Sequence, residues 1–452
     1  MRKWTQTLTA KVLGIGVLAL IMLIPLAQVR ELIAERQQLR ETTISRIAEG
    51  WGGRQTIGAP VLRVPTQRLI DRADGKPPEV QPGSESMLAD QLQADIQLTV
   101  QTRSYGMYSA PLYAAAVHLS GRFLPEDLAQ YRNLGIAQWQ DARAELLLPI
   151  ADLRGLRDVD DVRINGRPVR FRSSSTRVAG LPAITVPIDL STLDGKPIEF
   201  DLHLTLAGAA SLQLLPLARS TDVRMRAPWR DPSFTGAALP LERSVSEQGF
   251  SARWHMLDIN RSFGQWWVDG DPGVDNAMSG SSFGVELYQP VSVYQRNERA
   301  GKYGLLFVAM TFVAFFLVEV LRKLRVHPVQ YLLVGAALVT FYVLLLALSE
   351  QIGFAPAYVV AAAAVVLIVG GYAAAVLHAR RAGLLLGGVL ALVYAMLYGL
   401  IATEQYALLI GALVLLATVT LMMYLTRRID WYAYAAPTTS PPLPAAAMME
   451  RS

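Results

Sequence analysis

The sequence predicts an α+β membrane protein with one N-terminal membrane helix, a large mainly antiparallel β domain, and a C-terminal bundle of five membrane helices. Three observations predict it. An apolar run near the N-terminus and five more after residue 302 are each long enough for a membrane helix. The segment between them alternates apolar and polar residues, as strands do. Only 17% of the 452 residues are charged, below the roughly 25% usual in soluble domains.

The first apolar run, Val12 to Val29, has no charged residue and follows Arg2, Lys3 and Lys11. A cleavable signal peptide is the alternative, but the residues after the run, Arg30 to Leu32, do not form a small-x-small cleavage site. Residues 1–29 are therefore predicted to be a cytoplasmic N-terminus and an uncleaved signal anchor. Arg30 to Glu49 lacks Gly and Pro, and we expect it to continue the helix beyond the membrane.

Strand patterns dominate the middle segment, residues 30–302. Ile198 to Leu206 alternates apolar and charged or polar residues, the period of a sheet with one wet face. Val162 to Phe171 contains Asn165-Gly166, a dipeptide that favours a tight hairpin turn. A sandwich or split barrel is expected, with a short helix near Pro125 to Asn133. Further candidate strands are Ile57–Val64, Asp95–Gln101, Tyr113–Leu119, Glu145–Ile150, Ser211–Leu217, Phe250–Leu257 and Val285–Tyr294.

The C-terminal bundle is predicted over residues 303–425 and is followed by a Pro-rich cytoplasmic tail, residues 426–452. Each of its five runs is close to the 20 residues or so that a membrane helix needs. The runs are approximately Tyr303–Leu321, Val329–Leu348, Ala357–Leu377, Leu384–Ile401 and Tyr406–Leu425.

The distribution of charge predicts the orientation. Residues 30–302 contain 31 Lys and Arg against 32 Asp and Glu, whereas the rest of the chain contains 11 against 5. In the C-terminal part, the basic residues fall in alternate loops and after the last run, and the intervening loops carry Glu350 and Glu404. Because basic loops stay in the cytoplasm, both termini are predicted inside and residues 30–302 outside. The balanced middle segment argues against a nucleic-acid partner.

Chemical motifs are scarce in this sequence. The chain has no cysteine, which excludes a disulfide scaffold, a thiolate metal site and a cysteine enzyme. Gly280 to Gly284 matches the nucleophile-elbow pattern around Ser282, but it follows the turn-rich segment Asp269 to Gly280 and precedes a strand, which reverses the required order. A loop is therefore favoured over a catalytic serine.

Metal sites are not predicted either. Asp269, Asp271 and Asp275 could offer oxygen ligands to calcium, but the spacing fails the EF-hand order and a solvated loop is favoured. Three histidines of the middle segment are far apart in sequence, and none belongs to a zinc-type pair. They are His118, His203 and His255. No catalytic residue, cofactor or metal is predicted.

The candidate site residues lie in the membrane part. Glu319 is within an apolar run, and ionisable groups there are functional candidates, although pairing with Arg322 and Lys323 one turn away is the simpler explanation. Glu350 and Glu404 occupy equivalent places in two successive hairpins, a faint sign of a repeat. A seam of small residues is predicted to pack closely against another helix. It consists of Gly387, Ala391, Ala395 and Gly399.

Several strings give the chain a family resemblance. They are FGVEL (283–287), YQRNERAGKY (294–303), VHPVQYLLVG (326–335), LSEQIGF (348–354) and MYLTRRIDWY (423–432), with looser matches at 105–109 and 254–258. On these strings the chain resembles the CreD family of bacterial inner-membrane proteins. The resemblance covers most of the chain except the tail and supplies no catalytic or ligand-binding residues.

The resemblance implies a cell-envelope protein associated with envelope integrity and tolerance of envelope-directed toxins, produced as an output of a two-component system. Because the residues offer no recognisable catalytic constellation, we expect this protein to be non-enzymatic. The orientation predicted from the basic residues places residues 30–302 in the periplasm. The expected partners are the lipid bilayer and an unidentified envelope protein, glycan or lipid. A transporter or lipid-handling protein is the main alternative, and a membrane-tethered periplasmic hydrolase is a third.

Overall fold

The computed structural model describes residues 8–70, 79–106, 108–134, 137–193, 195–287, 293–321, 326–376, 380–403 and 407–427. The chain divides into two compact units. The β unit is Leu39–Pro290, and the membrane unit combines Met1–Gln38 with Val291–Ser452. The predicted boundaries at residues 29, 302 and 425 follow hydropathy and stay a prediction, since compactness does not measure where a membrane begins.

Within the described residues, all six predicted apolar runs are helical. The α-helices in chain order are α1 (Leu8–Ile21), α2 (Leu23–Glu49), α3 (Pro125–Leu134), α4 (Pro272–Gly280), α5 (Val293–Lys302), α6 (Gly304–Leu321), α7 (Pro328–Ile352), α8 (Phe354–Val376), α9 (Arg380–Ala402) and α10 (Ala407–Thr426). Helix α2 continues beyond the first apolar run to Glu49, which confirms the expected extension.

Four of these helical segments are long and apolar enough to cross a membrane: Lys11–Glu49, Pro328–Ile352, Phe354–Val376 and Gly383–Ala402. The pair α5 and α6, bent by 47° at Tyr303, provides a fifth if both belong to one span. Helix α10 has a shorter apolar stretch, Leu409–Tyr424. The N-terminal apolar helix and the C-terminal apolar helices therefore match the predicted fold class.

The β unit is built on two sheets. Its strands are β1 (Gln55–Gly58), β2 (Val61–Ile70), β3 (Glu79–Tyr105), β4 (Tyr108–Phe123), β5 (Gln138–Trp139), β6 (Ala144–Pro149), β7 (Leu156–Ile164), β8 (Arg167–Pro168), β9 (Arg172–Val178), β10 (Leu181–Ile188), β11 (Ile198–Ala209), β12 (Ser211–Leu215), β13 (Ala218–Ala227), β14 (Pro232–Gly236), β15 (Glu242–Ser246), β16 (Gly249–Leu257), β17 (Trp266–Val268) and β18 (Phe283–Leu287). The smaller sheet has the order β1-β12-β18-β14, and the larger follows β8-β7-β11-β4-β3-β2-β6-β10-β9. Parallel pairing occurs only between β1 and β12 and between β13 and β3 among the described strands.

Local sequence signals explain the larger sheet. The alternating residues of β11 bury Leu202, Leu204 and Leu206 to 2% exposure or less, while the residues between them face away from the core. At the predicted hairpin, β7 pairs with β8 through Asn165 and Gly166, whose φ angles of 50° and 73° are those of the expected tight turn. Both sequence predictions are confirmed.

Two local predictions for the β unit were wrong. Strand β18 ends at Leu287, and Val293 already begins α5, so the predicted strand Val285–Tyr294 is too long. The turn-rich segment from Asp269 contains helix α4. Asp271 caps this helix by accepting a hydrogen bond from the backbone of Gly273, and Pro272 occupies its first position, where a missing N–H costs nothing.

Candidate functional site

Two clusters of polar residues lie at the two ends of α7. This helix begins after His327, whose ring accepts a hydrogen bond from the backbone of Val329, while the side chain of Gln330 accepts one from the backbone of His327. The resulting capping box sets the helical phase that turns Tyr331 toward α6. Ser349 lies 18 residues after Tyr331, near the other end of the same helix, at a rise of about 1.5 Å per residue.

At the first end of α7, Glu319 is 3% exposed and has three partners. It forms an ion pair with Lys11 of α1. Its other contacts are with the hydroxyl of Tyr331 (2.9 Å) and the backbone N–H of Val326 (2.8 Å), both of which donate to it. We call Lys11, Glu319, Val326 and Tyr331 the α7 N-terminal cluster; it joins α1, α6 and α7 around one carboxylate.

The predicted pairing of Glu319 with Arg322 and Lys323 stays a prediction. The expected partners Arg322 and Lys323 lie outside the described residues. The ion pair that the structure describes joins Glu319 to Lys11, 308 residues away in the chain. The ion pair and the two hydrogen bonds therefore hold the Glu319 carboxylate in one position, because each of its partners restricts rotation of the side chain.

The opposite end of α7 carries a second buried group, the α7 C-terminal cluster of Tyr294, Asn297, Ser349 and Glu350. Asn297 and Ser349 are each 1% exposed, and the amide of Asn297 donates to the hydroxyl of Ser349 over 2.8 Å. Tyr294 donates its hydroxyl to Glu350 over 3.0 Å. The cluster therefore connects α5 to the end of α7, and it places Glu350 in a hydrogen bond between helices.

Aromatic side chains occupy the middle of the bundle between the two clusters. Phe341 packs edge-on against Tyr342 and Tyr358, with ring centroids 5.0 and 5.4 Å apart. The hydroxyl of Tyr358 donates to the backbone carbonyl of Tyr394 over 2.7 Å, which satisfies it inside the bundle. Glu404, the third candidate carboxylate, lies outside the described residues.

The seam of small residues on α9 is divided between two environments. Gly387 approaches the backbone of Gly370 on α8, and a Cβ built on Gly370 would lie 3.4 Å from the Cα of Gly387. Ala391 and Ala395 line an apolar groove between α8 and α9 together with Tyr358, Tyr394 and Tyr398. A Cβ on Gly399 would meet no atom within 4 Å.

A second close contact of α8 with α9 lies one turn before Gly387. A Cβ built on Gly383 would lie 2.4 Å from the Cβ of Ala374. Sequence spacing could have indicated this position, because Gly383 is four residues before Gly387 and so continues the same stripe.

In the β unit, the three aspartates considered for calcium point to different places. Asp269 accepts hydrogen bonds from the side chains of Arg63 (2.7 Å) and Ser86 (2.6 Å). Asp271 caps α4, and Asp275 accepts from the backbone of Ala179 over 2.8 Å. The carboxylates therefore stabilise the fold separately and do not converge on one ion.

Arg63 is the most connected of these charged groups. Burial lowers the pKa of the Arg63 guanidinium, but hydrogen bonds with Asp269 and Glu145 outweigh that effect and raise the pKa above its ordinary value. The distances are 2.7 Å to Asp269 and 2.9 Å to Glu145. This ion-pair network links β2 and β6 to the segment before α4.

Ser282 has a structural environment. Its hydroxyl donates to the side-chain oxygen of Gln213 over 3.0 Å, between β12 and the start of β18. A helix precedes the serine and a strand follows it, which is the reverse of the nucleophile elbow. An amide oxygen cannot accept the hydroxyl proton as a general base does, so this contact does not activate the serine.

The histidines are the group that sequence spacing missed. His118 on β4 and His203 on β11 are direct cross-strand partners, and their rings stack with centroids 4.1 Å apart and planes 8° apart. Asp201, two residues before His203, lies on the same face and contacts both rings. The histidines are strand residues, as predicted, but His118 and His203, which are far apart in sequence, are neighbours in the structure. His255 lies on another strand, with Asp222 as its partner at 2.9 Å.

Two units, one with several helices suited to cross a membrane and one with a mainly antiparallel β core, define an integral membrane protein with a large extramembranous domain. The profile of the family described as inner membrane protein CreD matches residues 7–432. The chain is also 31% identical over 421 residues to the inner membrane protein CreD of Escherichia coli (strain K12), covering 92% of both chains. The chain therefore belongs to the CreD family of inner membrane proteins.

Proposed function

We propose that this chain is a non-enzymatic inner-membrane protein that supports the integrity of the bacterial cell envelope. The observation that carries the proposal is that the polar residues of the family strings hydrogen-bond to one another between helices. Asn297 and Ser349 are buried against each other, and Tyr294 and Glu350 form a hydrogen bond between helices. Such contacts fix helix packing; they do not leave reactive groups facing a substrate.

The β unit is proposed to be periplasmic, with both chain termini in the cytoplasm. The distribution of basic residues supports this orientation. The ion pair between Lys11 and Glu319 is consistent with it, because the start of α1, the end of α6 and the start of α7 then share one membrane side with the basic loop after Leu321.

Reporter fusions test the orientation directly. An alkaline phosphatase fusion, which is active only outside the cytoplasm, is expected to be active after Asn297 and inactive after Arg428. A green fluorescent protein fusion, which fluoresces only in the cytoplasm, is expected to give the opposite pattern. Fluorescence after Asn297 or phosphatase activity after Arg428 would overturn the orientation.

The β unit is proposed to bind an envelope component, whether protein, glycan or lipid, and the gene to be an output of a two-component system. Exposed polar strand faces on a domain of this size support a binding role. Photo-crosslinking in living cells from exposed positions, followed by mass spectrometry of the adducts, would identify the partner. A deletion strain is expected to lose tolerance of envelope-directed toxins and to regain it with the intact gene.

The transporter and hydrolase alternatives make different predictions for the same complementation assay. A transporter that uses the membrane carboxylates would lose activity with Glu350→Gln, although the amide still accepts the hydrogen bond from Tyr294. A hydrolase that uses Ser282 would lose activity with Ser282→Ala. Our proposal expects both variants to restore tolerance when they accumulate to the level of the parent protein.

A further inference from the structure

The outer face of β4 and β11 brings together three side chains with metal-binding atoms. His118, Asp201 and His203 each offer one ligand atom, and these atoms all lie within 4.8 Å of one another. The Nε2 atom of His118 is 3.2 Å from one carboxylate oxygen of Asp201, and the Nε2 atom of His203 is 3.1 Å from the other. Donors bound to a tetrahedral zinc ion at about 2.05 Å are about 3.3 Å apart, so the observed spacings suit a shared metal.

The backbone holds these donors in a fixed arrangement. Strand β11 pairs with β4 along all 12 of its residues without a shift of register. Leu202, between Asp201 and His203, and Leu119, next to His118, are buried at 1% and 0% exposure. Their burial directs the face that carries His118, Asp201 and His203 toward solvent. Asp201 and His203 share that face because alternate residues of a strand do.

The three side chains are also accessible. Their exposed fractions are 37% for His118, 48% for Asp201 and 47% for His203, so an ion can reach them without unfolding. The nearby cation Arg163, paired with Asp201 across the strands, directs its guanidinium to Asp161 at 2.8 Å. Asp201 therefore keeps its carboxylate directed at the two histidines.

We propose that His118, Asp201 and His203 form a binding site for one divalent transition-metal ion of the zinc class. Imidazole nitrogens with a carboxylate oxygen suit this class, whereas calcium and magnesium prefer oxygen ligands alone. The Nε2 atoms that face Asp201 become the ligands when an ion binds, and rotation of the side chains turns their lone pairs toward one point. Three protein ligands leave the fourth tetrahedral position for water or for a donor atom of a bound partner.

The site is independent of the envelope proposal and can be tested on the purified protein. The full chain is prepared in detergent without a polyhistidine tag, treated with a chelator, and titrated with Zn²⁺ by calorimetry. One equivalent of zinc is expected per chain, and Ca²⁺ and Mg²⁺ are expected not to compete. Cobalt substitution is expected to give the visible absorption of a tetrahedral site.

Variants locate the site. His118→Ala and His203→Ala are each expected to weaken zinc binding roughly tenfold or more, since each removes one of three ligands. His255→Ala is the matched control, because that histidine is similarly exposed at 38%, has one aspartate partner, and belongs to no candidate metal cluster among the described residues. It is expected to leave the affinity unchanged.

Asp201→Asn keeps the size of the side chain and tests the third ligand if a histidine variant fails to fold, as judged by circular dichroism. Zinc binding that is equal in the parent protein, His118→Ala and Asp201→Asn would overturn the proposal. An equal loss of binding in His255→Ala would also overturn it, because binding would then be a general property of exposed histidines.

Discussion

The side-chain amide of Asn297 lies 2.8 Å from the hydroxyl oxygen of Ser349, and both side chains are 1% exposed. The two residues belong to separate strings by which the chain resembles its family, 294–303 and 348–354. The cation of Arg296 also lies 5.9 Å from the ring of Phe354, within the same two strings. These two strings are distant in sequence, and their side chains pack against each other in the membrane unit.

Removing the hydroxyl of Ser349 tests this arrangement. Ser349→Ala removes the acceptor of one amide N–H of Asn297, whose other amide contact is with the backbone carbonyl of Val293, so we expect the free energy of unfolding to fall by about 1–3 kcal/mol. Thr340→Ala is the control on the same helix, because Thr340 is exposed and its hydroxyl bonds the carbonyl of Ala336 in its own helix. Unfolding in mixed detergent micelles measures both, and equal losses would contradict the prediction.

The ion pair of Lys11 and Glu319 is expected to couple α1 to α6. Lys11→Met and Glu319→Gln each remove one charge and so break the ion pair between a half-buried ammonium and a buried carboxylate. A double-mutant cycle is therefore expected to give a coupling energy of about 1–3 kcal/mol. The exposed pair Glu298 and Lys302 is the control and is expected to give a coupling energy near zero. A cycle with no coupling at Lys11 would show that the pair does not hold the helices together.

Two glycines of α9 are expected to respond to the same substitution with opposite signs. Gly383→Ala places a Cβ 2.4 Å from that of Ala374, so the helices must move apart, and we expect a loss of about 1–3 kcal/mol. Gly399→Ala meets no atom within 4 Å and is expected to stabilise by up to about 1 kcal/mol through helix propensity. Thermal unfolding of the two variants measures the difference, and the same sign for both would contradict the packing of α8 on α9.

Asp152 is expected to contribute a pH-dependent term to the stability of the β unit. Hydrogen bonding from the Arg154 side chain lowers the pKa of the Asp152 carboxyl below its ordinary value. A depressed pKa in the folded state means that the stabilisation is present at neutral pH and is lost as the pH falls below about 4. The difference in unfolding temperature between the parent protein and Asp152→Asn should therefore shrink on acidification. A difference that grows toward low pH would contradict this sign.

Local sequence was sufficient for elements whose residues interact with their neighbours in the chain. The alternation of β11 and the Asn165-Gly166 turn were predictable because each depends on residues that are neighbours in the chain. Helix α4 was not predicted, since its nine residues include two Gly, one Pro and one Asn and give a weak helical signal, and the cap at Asp271 supplies what propensity lacks.

The hydrophobic pattern of the sequence by itself determined where the six apolar helices and the β unit fall. A helix suited to lipid needs a continuous apolar run, and a strand with one buried face needs alternating residues, so both patterns are visible within short segments. Only the tertiary structure decided that Lys11 pairs with Glu319, that Gly383 packs tightly against Ala374, and that His118 and His203 stack beside Asp201. Each of those relationships depends on the register between elements far apart in the chain. A shift of one residue in a strand would turn the same side chains to the opposite face, and no local pattern records that choice across the gap.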